Sequence, residues 1–117
     1  MDLDQAVTRH AEWKMRFRTA ISNQETLDAE TITKDNCCEI GKWLHGDAAA
    51  KYEKLDSLKD CVSKHAAFHA EAGKVAKMIN AKQYKEAAAM IDPGTPYSSA
   101  SSAVAVAIMH LKKEAAL

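Results

Sequence analysis

Apolar residues recur at helical spacing along most of the chain, and the pattern is clearest between Leu58 and Ile79. Apolar positions three or four residues apart place their side chains on one face of an α-helix. We therefore predict a helix over Leu58–Ile79. Two histidines, His65 and His69, lie on its apolar face, and because they are four residues apart their imidazoles point in the same direction. The other inner positions are Leu58, Val62, Phe68, Ala72, Ala76 and Ile79.

A similar apolar face predicts a first helix from about Leu3 to Ser22. His10 lies near the middle of this face, so a third histidine is expected to point into the core. The inner positions of the helix are Leu3, Ala6, Val7, His10, Trp13, Phe17 and Ile21.

The stretch Asn23–Asn36 is more polar and predicts a loop or a short helix. A new helix is expected to begin after it, and Asp35 or Asn36 is a candidate to cap its first turn by accepting a backbone N–H. Both residue types are favoured at this position because their short side chains reach the free amides of the first turn.

The sequence CCEIGKWLHGD then indicates a short helix that ends near Gly46. Gly41 costs the interior of such a helix about 1 kcal/mol relative to alanine. Its presence indicates that another helix or a metal site approaches closely there. Trp43 is expected to be a packing anchor. The inner positions are Cys38, Ile40, Trp43 and Leu44.

The rest of the chain predicts two further helical segments. Lys82–Ile91 continues as a helix or a bent extension, and the run DPGTPYSS interrupts it with two prolines and a glycine. Thr95 or Ser98 is a candidate cap for the last helix, whose apolar face comprises Tyr97, Ala100, Val104, Ala107, Ile108 and Leu111. The sum predicts an all-α fold, an antiparallel four-helix bundle with short additional helices.

Composition narrows the class of protein. The 117 residues carry 16 basic and 16 acidic side chains without a basic run, so no nucleic-acid partner is expected. No apolar run approaches the about 20 residues of a membrane span, and the charged start MDLDQ is unlike a secretory signal. Three cysteines, an odd number, argue against a disulfide scaffold. We expect a single domain over residues 1–117, cytoplasmic, with reduced thiols and no membrane contact.

Three predicted helices present inward histidines or thiols, namely His10, Cys38, and the pair His65 and His69. Buried histidines can be satisfied by hydrogen bonds alone. Leaving two neighbouring imidazoles unpaired costs about 1–3 kcal/mol each, however, and one shared metal ion would pair both. Three imidazoles and a thiolate suit tetrahedral Zn²⁺ better than calcium or magnesium. Four protein ligands leave no position for a water nucleophile, so we do not expect an enzyme.

The three cysteines are not equivalent as ligands. Neighbouring residues of a helix point about 100° apart, so only one of Cys37 and Cys38 is expected to face a given metal. Cys61 is a rival ligand, because it lies four residues before His65. The series Cys61, His65 and His69 spans about 12 Å of helix, too far for one ion to contact both ends. We prefer Cys38 and expect Cys61 to be a thiol packed beside the ligands.

These motifs, in this order, resemble the chemoreceptor zinc-binding domain (CZB), which is found on bacterial chemoreceptors and some diguanylate cyclases. The family pattern is a histidine in the first helix, Cys-x-x-Gly-x-Trp in the second, and a later His-x-x-x-His. It corresponds here to His10, then Cys38 through Gly41 to Trp43, then His65 and His69. The segments KDNCCEIGKWLHG and SKHAAFHAEAGKVA look most like the chemoreceptor branch.

The resemblance implies a cytoplasmic four-helix bundle that binds one Zn²⁺ per chain through His10, Cys38, His65 and His69, often as a homodimer. It also implies a sensory role, in which zinc level or an oxidant such as hypochlorous acid alters the Cys38–zinc bond. The change would act on a chemoreceptor signalling module or a diguanylate cyclase, attached or in trans. Cys38 is the expected redox switch, because a thiolate is the only ligand here that is readily oxidised.

Two other functions remain open. The zinc can be purely structural, since a structural site supplies substantial folding free energy. A hemerythrin-like di-iron protein that binds oxygen is the third hypothesis, supported by His110 and Glu114 in the last helix. Against it, His110 lies about 100° from the apolar centre of that helix, and Cys38 stands where such a protein needs a histidine motif.

Overall fold

The computed structural model describes all 117 residues, and its regular structure is entirely helical. The all-α prediction is confirmed. No helix in it combines the length and the apolar character needed to cross a membrane. The helices are α1 (Leu3–Ala11), α2 (Trp13–Asn23), α3 (Ala29–Thr33), α4 (Glu39–His45), α5 (Asp47–Lys51), α6 (Asp56–Asn80), α7 (Tyr84–Met90) and α8 (Pro96–Glu114).

The first and last limbs of the bundle run in opposite directions. Asp4 in α1 forms an ion pair of 2.7 Å with Lys112 near the end of α8. Further along, the rings of Phe17 in α2 and Tyr97 at the start of α8 pack with their centroids 5.8 Å apart. The beginning of the first limb therefore lies beside the end of the last.

The remaining two limbs complete an alternating arrangement. Helix α6 also runs opposite to α8, because Ser57 at its start donates a hydrogen bond of 3.0 Å to Glu114. The short helices α3, α4 and α5 form the return limb between α2 and α6. Leu27, just before α3, is hydrogen-bonded to Asn80 at the end of α6. Alternating limbs of this kind confirm the predicted antiparallel bundle.

The predicted first helix is divided at one residue. Glu12 ends α1 and precedes α2, but its dihedral angles remain right-handed helical (φ −65°, ψ −20°). Its N–H donates to Thr8 and its carbonyl oxygen accepts from Arg16, both at 3.0 Å. Because the backbone keeps helical angles, α1 and α2 share one buried face, on which His10 and Phe17 lie.

The start of α4 differs from the prediction. Its N-cap is Cys38, whose backbone is extended (φ −80°, ψ 164°) and whose Sγ accepts the N–H of Gly41 at 3.4 Å. The expectation that Asp35 or Asn36 caps this helix was wrong, because the helix begins at Glu39 and both residues lie too early. Cys37 and Cys38 therefore precede the helix and do not lie within it. The end near Gly46 agrees with the prediction.

The centre of the core is α6, which packs against α3 and α8. Lys82, with a positive φ of 63°, separates α6 from α7, so the predicted extension is a distinct helix. Thr95 caps α8 by accepting the N–H of Ser98 at 3.2 Å, with Pro96 in the first turn. The buried positions of α6 are Leu58, Cys61, His65, Phe68, His69, Ala72, Gly73, Val75, Ala76 and Ile79.

Candidate metal centre

Four side chains from three parts of the chain converge inside the bundle. His10 lies in α1, Cys38 is the N-cap residue of α4, and His65 and His69 lie on adjacent turns of α6. One ligand atom from each residue lies within 4.8 Å of all the others. The three imidazoles are at least 95 % buried, while Cys38 is half-buried.

The spacing within this group suits a single tetrahedral ion. Cys38 Sγ lies 3.2 Å from His65 Nε2 and 3.5 Å from His69 Nε2, and the two Nε2 atoms are 3.1 Å apart. Zinc bonds of about 2.0–2.1 Å to nitrogen and about 2.3 Å to sulfur place neighbouring ligands about 3.3–3.6 Å apart. Cys38, His65 and His69 are already near those distances, and the whole group, His10 included, lies within 4.8 Å.

Backbone carbonyl groups orient two of the imidazoles. His10 Nδ1–H donates to the carbonyl oxygen of Ala6, and His69 Nδ1–H donates to that of Ile32, each at 2.8 Å. In both rings the proton is therefore on Nδ1, and the Nε2 lone pair faces the group. His10 Nε2 is buried without a hydrogen-bond partner. A divalent cation would satisfy these converging lone pairs, so the donor set fits zinc.

Gly41 allows the third imidazole to lie where it does. A Cβ at this position would lie 3.2 Å from His65 Cε1 and only 2.0 Å from the carbonyl oxygen of Asp35. The expected close approach at Gly41 is therefore confirmed, and the neighbours are the backbone of the preceding turn and the imidazole ring. His65 Nδ1 itself is buried and has no partner.

Burial determines the protonation of the group without metal. It lowers the pKa of His10, His65 and His69, that of His65 to about 3, where the nearby His69 also contributes. Burial also raises the pKa of the Cys38 thiol, although the N–H of Gly41 opposes this. Near neutral pH the imidazoles are therefore neutral and ready to coordinate, while the thiol must lose a proton when metal binds.

The other cysteines lie outside this group. Cys61 is completely buried in the core, and burial raises its pKa to about 12. Cys37 is exposed, with its Sγ 3.5 Å from Oδ1 of Asn36. Trp43 is half-buried and packs against Tyr52, with ring centroids 6.3 Å apart. Of the three thiols, only that of Cys38 reaches the histidines.

The two remaining histidines, which a di-iron centre would need as further ligands, do not reach the cluster of His10, Cys38, His65 and His69. His110 is exposed on α8, in a surface depression with Asp56, Asp60 and Glu114. His45 is exposed and lies 3.0 Å from a carboxylate oxygen of Asp35. No other set of three or more potential ligands comes together in the chain.

Two clefts reach Cys38 from the surface. One, of about 230 Å³, lies between α1 and α4 and is lined in part by Arg9, His10 and Glu39. The other, of about 370 Å³, lies between α2 and α3 and is lined in part by Cys37 and His69. Cys38 lines both, so it is the member of the group most open to small solutes.

Sequence reasoning missed the backbone partners of the imidazoles. The Ala6 carbonyl lies four residues before His10 on the same helix, so helix geometry was a usable signal for it. The Ile32 carbonyl is 37 residues from His69 in sequence, and no local pattern indicates that contact. Helix α3 is thus part of the site through its main chain.

Comparison with known families supports the same assignment. Residues 10–76, more than half of the chain, match the chemoreceptor zinc-binding domain. The chain belongs to this family. No curated protein and no solved structure matches it. The CZB match includes all four clustered residues, while α8 lies beyond it. The protein is therefore a zinc-binding CZB domain of a sensory and regulatory family, with a compact potential metal site in its chain.

Proposed function

We propose that His10, Cys38, His65 and His69 bind one zinc ion, and that changes at this site regulate a signalling protein of the chemoreceptor type. The observation that carries the proposal is the convergence of four ligand atoms of this chain within 4.8 Å of one another. The chain belongs to a zinc-binding family, which supports zinc as the metal. The two imidazoles oriented by carbonyl groups support it, since their Nε2 lone pairs are held toward the cluster.

Each residue has a distinct task in this proposal. His10, His65 and His69 are buried, neutral and fixed by packing, so they provide a constant part of the site. Cys38 is half-buried and lies at the meeting point of two clefts. Bound zinc keeps the coordinating sulfur as a thiolate, the reactive form of cysteine.

The signal is either the zinc level or an oxidant such as hypochlorous acid. In the oxidant case, Cys38 is the point of attack, because imidazoles resist the mild oxidation that converts a thiolate to a sulfenate. An oxidised sulfur is a different ligand, so its bond to the metal weakens and the metal is released. In the zinc-level case, loss of metal leaves the same four side chains without their shared partner.

The response is proposed to pass through the short helices. Cys38 caps α4, and His69 is hydrogen-bonded to the main chain of α3. A change at the metal site therefore acts on two elements of the return limb, a local event with a wider consequence. We propose that the domain works in the cytoplasm as a homodimer. Its output is a chemoreceptor signalling module or a diguanylate cyclase, attached or in trans.

The test compares three cysteine variants by zinc competition titration. We expect Cys38→Ala to lower the zinc affinity by at least about 100-fold, because loss of a direct ligand exceeds the about 10–100-fold effect of losing an outer partner. Cys37→Ala and Cys61→Ala are the matched controls and should bind as the wild type does. Equal losses in all three variants would overturn the assignment of the thiol ligand.

The same proteins, loaded with zinc, separate the two signals. If oxidants are sensed, near-stoichiometric hypochlorous acid releases zinc from the wild type and modifies Cys38. If zinc stays bound and Cys38 is unmodified, the oxidant function is wrong, and zinc level or a purely structural metal remains. Native mass spectrometry of these samples reports metal identity, stoichiometry and oligomeric state together.

A further inference from the structure

We propose that Cys37 is the resolving thiol for Cys38, so that oxidation by hypochlorous acid ends in a disulfide between these two neighbouring residues. The inference depends on the proposed oxidation of Cys38 and assigns a function to a thiol that zinc binding does not use. Its basis is the position of the pair, which lies outside any helix and lines one shared cleft.

Both sulfur-bearing residues are reached from the same solvent space. Cys37 and Cys38 line the cleft of about 370 Å³ between α2 and α3, so an oxidant that enters it meets both. Cys37 is exposed, and its thiol donates one hydrogen bond, to the side-chain oxygen of Asn36. An exposed side chain of this kind changes rotamer within nanoseconds, so the Cys37 thiol is free to turn toward its neighbour.

Neither cysteine is held in a helix. Within a helix, two consecutive side chains diverge by about 100°, but Cys37 and Cys38 lie in a bend that ends where α4 begins. The backbone of Cys38 is extended, and its carbonyl already accepts the first helical hydrogen bond, from Lys42 at 3.0 Å. Rotation of the Cys38 side chain therefore leaves that main-chain bond intact, while its Sγ moves away from the N–H of Gly41 and from the Nε2 atoms of His65 and His69.

The proposed reaction has two steps. The Cys38 thiolate attacks the chlorine of hypochlorous acid, which forms an S–Cl bond, breaks the Cl–O bond and releases hydroxide. A zinc ion held by this sulfur would lose that bond and leave as Zn²⁺, because the sulfur is no longer a thiolate. The Cys37 sulfur then attacks the Cys38 sulfur, so an S–S bond forms, chloride leaves, and the Cys37 proton joins the hydroxide as water. Two electrons pass from the two sulfurs to chlorine, and the products are one disulfide, one chloride and one water.

The bond between neighbouring residues is expected to be easily reversed. Consecutive Cα atoms are about 3.8 Å apart, below the about 4.4–6.8 Å usual for disulfides. Strained disulfides are reduced more readily and are typical of regulatory sites. Without Cys37, the oxidised Cys38 would hydrolyse to a sulfenic acid, and further oxidant would convert it to an irreversible sulfinic acid. Cys37 would therefore make the switch reusable.

The experiment treats the zinc-loaded wild type, Cys37→Ala and Cys61→Ala with increasing hypochlorous acid. Intact mass, peptide mapping, dimedone labelling and zinc binding after reduction with dithiothreitol are then measured. The wild type and the Cys61→Ala control should lose two hydrogens, show Cys37 linked to Cys38 within one peptide, and regain zinc binding after reduction. Cys37→Ala should instead accumulate dimedone-reactive or sulfinic Cys38 and regain little zinc binding.

The remaining outcomes each overturn a stated idea. If Cys38 becomes sulfenic or sulfinic acid equally in the wild type and Cys37→Ala, with equal recovery, the resolving role of Cys37 is wrong and the redox switch stands. If Cys38 stays unmodified in both proteins, the oxidant function fails together with this inference. A disulfide that joins the Cys37 residues of two chains, with Cys38 untouched, would also exclude both. Circular dichroism of each variant before oxidation verifies that it is folded.

Discussion

Gly41 allows α4 to lie close both to the preceding turn and to His65, because a Cβ at this position would contact the Asp35 carbonyl and the His65 ring. Gly41→Ala would place a Cβ 2.0 Å from that oxygen, a backbone atom that has little freedom to move. The overpacking costs about 1–3 kcal/mol, against about 1 kcal/mol gained in helix propensity. We expect a net loss of stability and, because the displaced turn carries Cys38, a lower zinc affinity. Denaturant unfolding and zinc titration measure the two effects.

A second glycine serves as the control for this substitution. Gly94 has a φ of 82°, and a Cβ there would contact nothing within 4 Å. Gly94→Ala should therefore destabilise the fold by backbone strain of about 1–2 kcal/mol and leave the zinc affinity unchanged. If Gly41→Ala binds zinc as tightly as Gly94→Ala does, the close approach at Gly41 does not position the site.

At the scale of elements, helix α3 connects the metal site to the end of α6. Three contacts hold it there. The Ile32 carbonyl oxygen accepts a hydrogen bond from His69, and the Asn80 side chain is hydrogen-bonded to the backbone of Leu27. Thr33 packs directly against Gly73, where a Cβ would lie 2.0 Å from the Thr33 side chain. A helix of five residues is too short to be stable alone, so these contacts determine its position.

Asn80→Ala tests the role of this anchoring. The Asn80 side chain accepts the N–H of Leu27 and donates to its carbonyl oxygen, both at 2.8 Å. Loss of both bonds leaves partly buried groups unpaired, at about 1–3 kcal/mol. We expect faster amide hydrogen exchange over residues 27–33. Because α3 carries the partner of His69, zinc affinity should also fall, by about tenfold or more.

Asn23→Ala is the matched control, because Asn23 makes only a surface hydrogen bond to Glu25 two residues away. It should change neither hydrogen exchange over residues 27–33 nor zinc affinity. Unchanged zinc affinity in Asn80→Ala, together with faster exchange, would show that α3 does not support the metal site.

At the scale of the whole molecule, the metal site joins the first limb, the return limb and α6. A ligand that binds only the folded state raises the free energy of unfolding by about 2.7 kcal/mol when the free ligand concentration is 100 times its Kd. For a chain of this size, about 4 °C per kcal/mol applies, so we expect a Tm about 10 °C higher with zinc than after chelation. Calorimetry measures the shift. Cys38→Ala should show little of it, and equal Tm values for the wild type with and without zinc would contradict a metal-stabilised bundle.

The apolar pattern alone determined most of the helices and placed His10, His65 and His69 on buried faces. The burial of a helix position depends on neighbours three and four residues away, which a sequence displays directly. Helix geometry favoured Cys38 over Cys61 as the fourth ligand, and the Cys-x-x-Gly-x-Trp motif of the CZB family agreed with that choice. Gly41 was recognisable as a close approach because glycine is disfavoured inside a helix unless space requires it.

Only the tertiary structure decided how these residues meet. Cys38 caps α4 instead of lying within it, and Ile32 provides the carbonyl that orients His69. The position of the turn before α4 depends on the Asp35 backbone packing against Gly41. Such contacts join residues far apart in sequence or involve main-chain groups that every residue carries, so no side-chain pattern encodes them. The chain in three dimensions therefore determined how the Cys38 thiol reaches the histidines and which main-chain groups orient their rings.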